Sequence, residues 1–232
     1  MNVAMKAVIS AAWLLLLAGC ASGPKPADWQ LEAKGSMERS VAAYMEGNSR
    51  VENAELERAR SQLARTGRAD LLATAELLHC ATRVASLVFE PCAGSEKLRQ
   101  DAPAAQLAYA NFLRGQAQPQ DIALLPAPQR AAATGDGAAV QGMADPLSRL
   151  VAAGVLLQTG KASPALITQA INTASDQGWR RPLLAWLGVQ ALRAEQAGDA
   201  AEAARVRRRI TLTQGSAAPA KDPVKDPVKA PQ

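Results

Sequence analysis

A chain of 232 residues has room for one domain of ordinary size with a leader before it and a tail behind it. Apolar residues make up 48% of it while Phe, Tyr and Trp reach only 3%, a composition that favours closely packed helices and argues against aromatic or β-branched sheet layers. The formal net charge of +5 raises nucleic acid as a partner, and the beginning of the chain argues against it.

Lys6 is followed by a predominantly apolar run over residues 7–18 and by small residues before Cys20, the layout of a secretory signal. The run is short for a bilayer, which takes roughly 20 apolar residues to cross. The stretch Leu17-Ala18-Gly19-Cys20 resembles the lipobox of bacterial lipoproteins. That resemblance implies removal of residues 1–19, a diacylglycerol on the Cys20 thiol and an acyl chain on the new amino group. Two or three acyl chains anchor stably where one binds only marginally. Ala21, in place of Asp, implies by the same family's sorting rule the outer membrane, with the domain facing the periplasm. An exported protein meets little nucleic acid, so the acidic partners expected are lipid head groups, cell-wall carboxylates or other envelope proteins.

Residues 20–35, with Ser22-Gly23-Pro24-Lys25-Pro26, read as a lipidated tether. A helical domain is expected over 36–214, in halves of about 36–117 and 137–214. Met37, Val41, Tyr44 and Met45 share one helical face, and Leu56, Ala59 and Leu63 the next, with Asn48 and Gly67 as punctuation. A third helix is predicted over 68–88, stopping before Pro91, and a fourth over 103–114. Residues 118–136 carry three prolines and run into a Thr134-Gly135-Asp136-Gly137 turn signal, so short helices and loops are expected there.

The second half is more regular. Asp145 with Pro146 and Ser163 with Pro164 open two helices, closed by Gly160 and Gly178, and a further pair over 180–197 and 199–213 is joined at Gly198. The two pairs start about 35 residues apart, near the 34-residue tetratricopeptide period. The last pair resembles a tetratricopeptide hairpin: Gly198-Asp199 begins the turn, Leu187, Ala191 and Ala203 stand at small or apolar positions, and Arg207 replaces an expected aromatic. The resemblance implies a surface that binds another protein. The fold class is therefore all-α, either an irregular helical bundle or a short α-solenoid of antiparallel helix pairs. Residues 215–232 repeat Lys-Asp-Pro-Val and read as a disordered tail.

Cys80 and Cys92 remain as an even pair in an oxidising compartment. Their spacing permits a bridge if the chain reverses at Glu90-Pro91. His79 appears on a polar stripe with Glu76 and Arg83, where exposure is expected, and a lone histidine excludes a two-histidine zinc site. Glu55 with Arg58, Glu57 with Arg60, Asp145 with Arg149 and Glu202 with Arg205 have the spacing of surface ion pairs. No nucleophile elbow, phosphate loop or nucleotide fingerprint occurs. No catalytic residue, metal or cofactor is expected beyond the lipid on Cys20. Arg205, Arg207, Arg208 and Arg209, with Arg180, Arg181 and Arg193 on the neighbouring helix, are the candidate binding residues for an acidic partner. The expectation is a non-enzymatic accessory lipoprotein whose helix pairs over 145–213 bind an envelope protein. The alternative is an envelope enzyme or ligand carrier with a pocket between the halves that uses Glu76, His79 and Arg83. Alkylation followed by intact mass analysis is expected to find no free thiol at Cys80 or Cys92; two free thiols would reject the pairing.

Overall fold

The computed structural model describes residues 26–215, so the lipobox, Cys20 and the tail from 216 onward lie outside the described residues. Within them the chain is all-helical, with no strand. The first helix, α1 (Asp28–Glu46), begins well before residue 36, inside the expected tether. Gln30 Oε1 accepts the Ala27 N–H at 3.2 Å and Asp28 stands in the first turn, where the helix dipole favours a negative charge. Trp29, Ala33 and Met37 repeat every four residues, which gives this polar-looking segment an apolar face to bury.

Asn48 caps α2 (Ser49–Ala64) by accepting the Val51 N–H, and α2 folds back along α1. Helix α3 (Ala69–Ala85) packs on both. It ends in a Schellman turn in which the Val88 N–H reaches the Arg83 carbonyl at 2.9 Å and Leu87 takes a left-handed φ of 61°. That turn reverses the chain, and Cys92 returns to Cys80 with a Cα–Cα distance of 5.5 Å as a disulfide. Helix α4 (Ala93–Glu96), a 3₁₀ turn (Arg99–Asp101) and α5 (Ala104–Leu113) follow along α3. The proline-rich middle forms α6 (Pro119–Ile122), α7 (Ala127–Thr134) and α8 (Gly137–Gln141), as short as its prolines require.

Helices α9 (Pro146–Gln158) and α10 (Pro164–Asp176) form one antiparallel pair, and α11 (Arg180–Gln196) and α12 (Ala200–Gly215) the next, with α10 lying on α11. Every residue of α9 from 150 to 156 is buried, because α3, α7, α8 and α10 surround it. Helix α11 in turn meets α1. The inner faces of both repeat-like pairs are therefore filled by the first half of the chain. One apolar cluster runs from Tyr44 through Trp186 to Val206, and a smaller one gathers Ala33, Met37, Leu56, Ala59, Leu63 and Ala75 between α1, α2 and α3.

The main core is keyed at the end of α3. A Cβ on Gly154 of α9 would overlap the Val84 carbonyl oxygen, so the two backbones approach as closely as a missing side chain allows. Beside it Trp186, wholly buried on α11, donates Nε1–H to the Ala85 carbonyl at 3.1 Å and satisfies a helix-end acceptor. Because the atom in the way is backbone, Gly154→Ala is expected to destabilise the fold by about 2 to 3 kcal/mol as overpacking, despite alanine's better helix propensity. Urea unfolding checks this: a variant as stable as the parent would remove the crossing from the account.

Candidate functional site

Three glutamates at helical spacing on α2 and α3 are buried with their charges compensated from neighbouring helices. Glu55 accepts from Arg39 Nε of α1 at 3.0 Å and pairs with Arg58 of its own helix at 2.6 Å. The Arg39 hydrogen bond holds its carboxyl below the usual carboxylate range, against the opposing effect of burial. Glu76 on α3 takes a two-pronged bond from Arg60 of α2, at 2.6 Å from Nε and 2.8 Å from Nη2. Glu52 lies deepest and meets His79 Nε2 of α3 at 3.3 Å and Arg181 Nη1 of α11 at 3.4 Å. Arg181 also spans the Tyr44 ring, 4.0 Å from its centroid, and Arg83 stands 5.6 Å from the same ring.

This arrangement corrects two sequence-based expectations. Glu76 is buried and His79 half-buried, although both belong to the polar stripe of α3, because α2 lays its own charged stripe against them. Glu55 with Arg58 likewise makes an interhelical cluster with Arg39 in place of a surface pair, and Arg60 spends its fork on Glu76, with Glu57 at 3.5 Å. Asp145 and Arg149 part company: Asp145 caps α9 through the Ser148 N–H at 2.7 Å, while Arg149 reaches the Met143 carbonyl and Thr173 Oγ1. Glu202 and Arg205 pair at 2.6 Å on the surface, as their spacing predicts.

A polar cleft of about 310 Å³ opens beside this ladder of buried glutamates and their cations, lined by Arg60, Glu76, His79, Arg83, Glu90 and Lys97. Its wall includes Cys80, Cys92 and Gly94, and Gly94 is needed there because a Cβ would overlap Glu76 Oε2. The cleft does bring Glu76, His79 and Arg83 together. It sits entirely within the first half, not between the halves. Arg83, half-buried, rests against the Tyr44 ring with no carboxylate in ion-pair range among the described residues. A second cleft of about 350 Å³ is apolar and escaped the sequence reading; Trp29, Ala33, Met37, Leu63, Leu71 and Leu78 line it. The spacing of Trp29, Ala33 and Met37 was the available signal for it.

The arginine-rich helix resolves into two populations. Arg180 donates to the Glu46 carbonyl at 3.1 Å and Arg181 to Glu52 and Ser49, so both fasten α11 to α1 and α2 and do not join the outer basic surface. On α12, Arg205 pairs with Glu202 and Arg207 with Glu195, each at 2.6 Å, while Arg208 is exposed and Arg209 half-buried. Leu187 and Ala191 of α11 and Ala203 of α12 are buried, and Arg207 is exposed where the repeat family has an aromatic. Among the described residues no helix is long and apolar enough to cross a membrane, and no group of three or more His, Cys, Asp or Glu is placed to hold a metal ion. No family, curated protein or solved structure matches the chain.

The His79 environment sets a pH dependence. Burial, reinforced by the Arg83 charge, lowers its pKa below the ordinary histidine value, against the opposing pull of Glu52 and Glu76. The unfolded chain, with a histidine pKa of about 6.5, therefore takes up the proton first as the pH falls. The stability that neutral His79 contributes is complete above that pH and is lost as the pH drops through it toward the lower folded value. Urea unfolding from about pH 7.5 to about pH 5 is expected to show this decline, and His79→Gln to flatten it. Equal slopes in the two chains would reject the assignment.

Proposed function

We propose that the chain is an outer-membrane-anchored, periplasm-facing lipoprotein that acts without catalysis, as a scaffold or accessory that docks an envelope protein through its C-terminal hairpin. The anchor rests on the Leu17-Ala18-Gly19-Cys20 motif and the lipid chemistry it implies. The observation that carries the docking is the outer face of α12. This helix packs chiefly on α11 through Ala203 and Val206 and turns Arg205, Arg208 and Leu212, spaced along one stripe, to the outside, with Leu212 78% exposed. An apolar residue framed by arginines fits a partner with an acidic rim around an apolar spot. The tetratricopeptide-like surface is relocated by this reading: the inner faces of α9 and α11 are occupied by α3 and α1, so the outer face of the terminal hairpin takes the role.

A ligand-carrier reading is favoured by one feature, the polar cleft in which Arg83, among the described residues, has no carboxylate in ion-pair range and is open to a small anion. Photo-crosslinking from position 212 in intact cells separates the two. A discrete crosslinked envelope protein, lost when Arg205 and Arg208 are both changed to Glu, is expected. Unchanged crosslinking in that double variant, or no crosslink from this face together with a small anion released from the unfolded protein, would overturn the docking role.

A further inference from the structure

The smaller apolar cluster is incompletely covered. Ala33, Met37, Leu56, Ala59, Leu63 and Ala75 are buried, but Trp29, Leu71, Leu72 and Leu78 around them are only partly so, and the apolar cleft opens between them. This cleft lies where α1 begins, α2 ends and α3 begins. Trp29 is the pivot, for its indole borders this cleft on one side and on the other a second one formed with Gln62, Arg65 and Thr66.

The described chain enters at this end. Pro26 is six residues beyond Cys20, and six residues span at most about 22 Å when extended. We infer that the open apolar cleft around Trp29 is the face of the domain that lies against the bilayer carrying the Cys20 anchor, with the indole seated in the interfacial layer. The inference rests on the lipoprotein reading and adds an orientation to it. The face is too small to hold a free protein on a membrane. Once the lipid chains are inserted, though, the second contact becomes intramolecular, at an effective concentration on the order of millimolar for a link this short. Trp suits the role because its ring is apolar and its N–H can meet water or head groups.

Charge does not drive the contact. Lys34 lines the apolar cleft but pairs with Glu38 at 3.8 Å, Arg65 stands on the other side of Trp29, and Asp28 and Glu32 lie in the first turns of the same helix. The rim is close to neutral, so the docking should be insensitive to salt. Helix α1 then points away from the membrane: from Trp29 to Glu46 it rises about 26 Å. Its far end is where Arg180 and Arg181 attach α11. The hairpin that carries Arg208 and Leu212 is attached at the end of α1 remote from the lipid.

The test uses the full mature protein isolated from membranes, with the mass of its Cys20 adduct measured on the same sample. It is reconstituted into phosphatidylethanolamine–phosphatidylglycerol vesicles with and without bromine on the acyl chains. The difference in tryptophan emission between the parent and Trp29→Phe isolates Trp29 from Trp179 and Trp186. Loss of most of that difference emission to brominated chains, at low and high salt alike, is expected. Hydrogen exchange on the unsubstituted chain gives a second readout, with slower exchange at the starts of α1 and α3 on vesicles than in detergent. An acylated chain whose Trp29 emission ignores bromine, or is quenched only at low salt, overturns the orientation and leaves the anchor standing. A Cys20 without acyl mass overturns both.

Discussion

The contact of α9 and α11 with the last turn of α3 is the constraint on which the rest of the molecule depends. Gly154 lets the α9 backbone reach the Val84 carbonyl, and Trp186 brings α11 to the carbonyl next to it. Two successive carbonyls of one helix end thus locate both repeat-like pairs on the first half of the chain. An α9 buried on every side follows from this, as does a single main core. So does the loss of the concave groove that stacked helix pairs would otherwise leave open. The Leu87 turn and the Cys80–Cys92 bridge hold the same helix end from the other direction.

The charged ladder is the second organising element, and it works by different physics. Burying Glu52 and Glu76 is tolerable only because each is met by a cation from another helix, and removing that cation would leave an uncompensated charge in a poorly solvated place. Such pairs contribute less to net stability than an apolar contact of the same size would. They do restrict register, since Arg60 reaches Glu76 with both prongs in one relative position of α2 and α3. Through Arg181 and Glu52 the ladder also crosses from the second half of the chain to the first, so α1, α2, α3 and α11 are tied by charge as well as by packing.

Function, as proposed, is distributed along α1. Its beginning carries the apolar cleft and is the part of the described chain closest in sequence to Cys20, and its end holds the hairpin whose outer face presents arginines and Leu212. In the proposed function, a helix between an anchoring end and a docking end sets the distance at which a partner is met. The disulfide-walled polar cleft lies off this axis, on α2, α3 and the loop after them.

Much of the secondary structure is determined locally and could be read without coordinates. Pro146 and Pro164 at helix starts, Asn48, Asp145 and Ser163 as caps and the alanine-rich apolar periodicity each act within one or two turns, which is why the paired helices from 145 onward fall where the sequence places them. The Cys80–Cys92 pairing was legible for the same reason: a helix of known rise followed by a proline bend leaves the two sulfurs within reach. The site was not legible. A polar stripe looks the same whether it meets water or the polar stripe of another helix, so Glu55, Glu76 and His79 read as surface until α1 and α2 were laid against them. The start of α1 was missed because Trp29, Ala33 and Met37 are separated by charged residues, and their face has meaning only where α2 and α3 supply its other walls. Sequence alone determined which segments are helices, through interactions between near neighbours. Tertiary structure decided which polar faces are buried and which cleft stays open, because those depend on residues up to 134 positions apart meeting across separate helices.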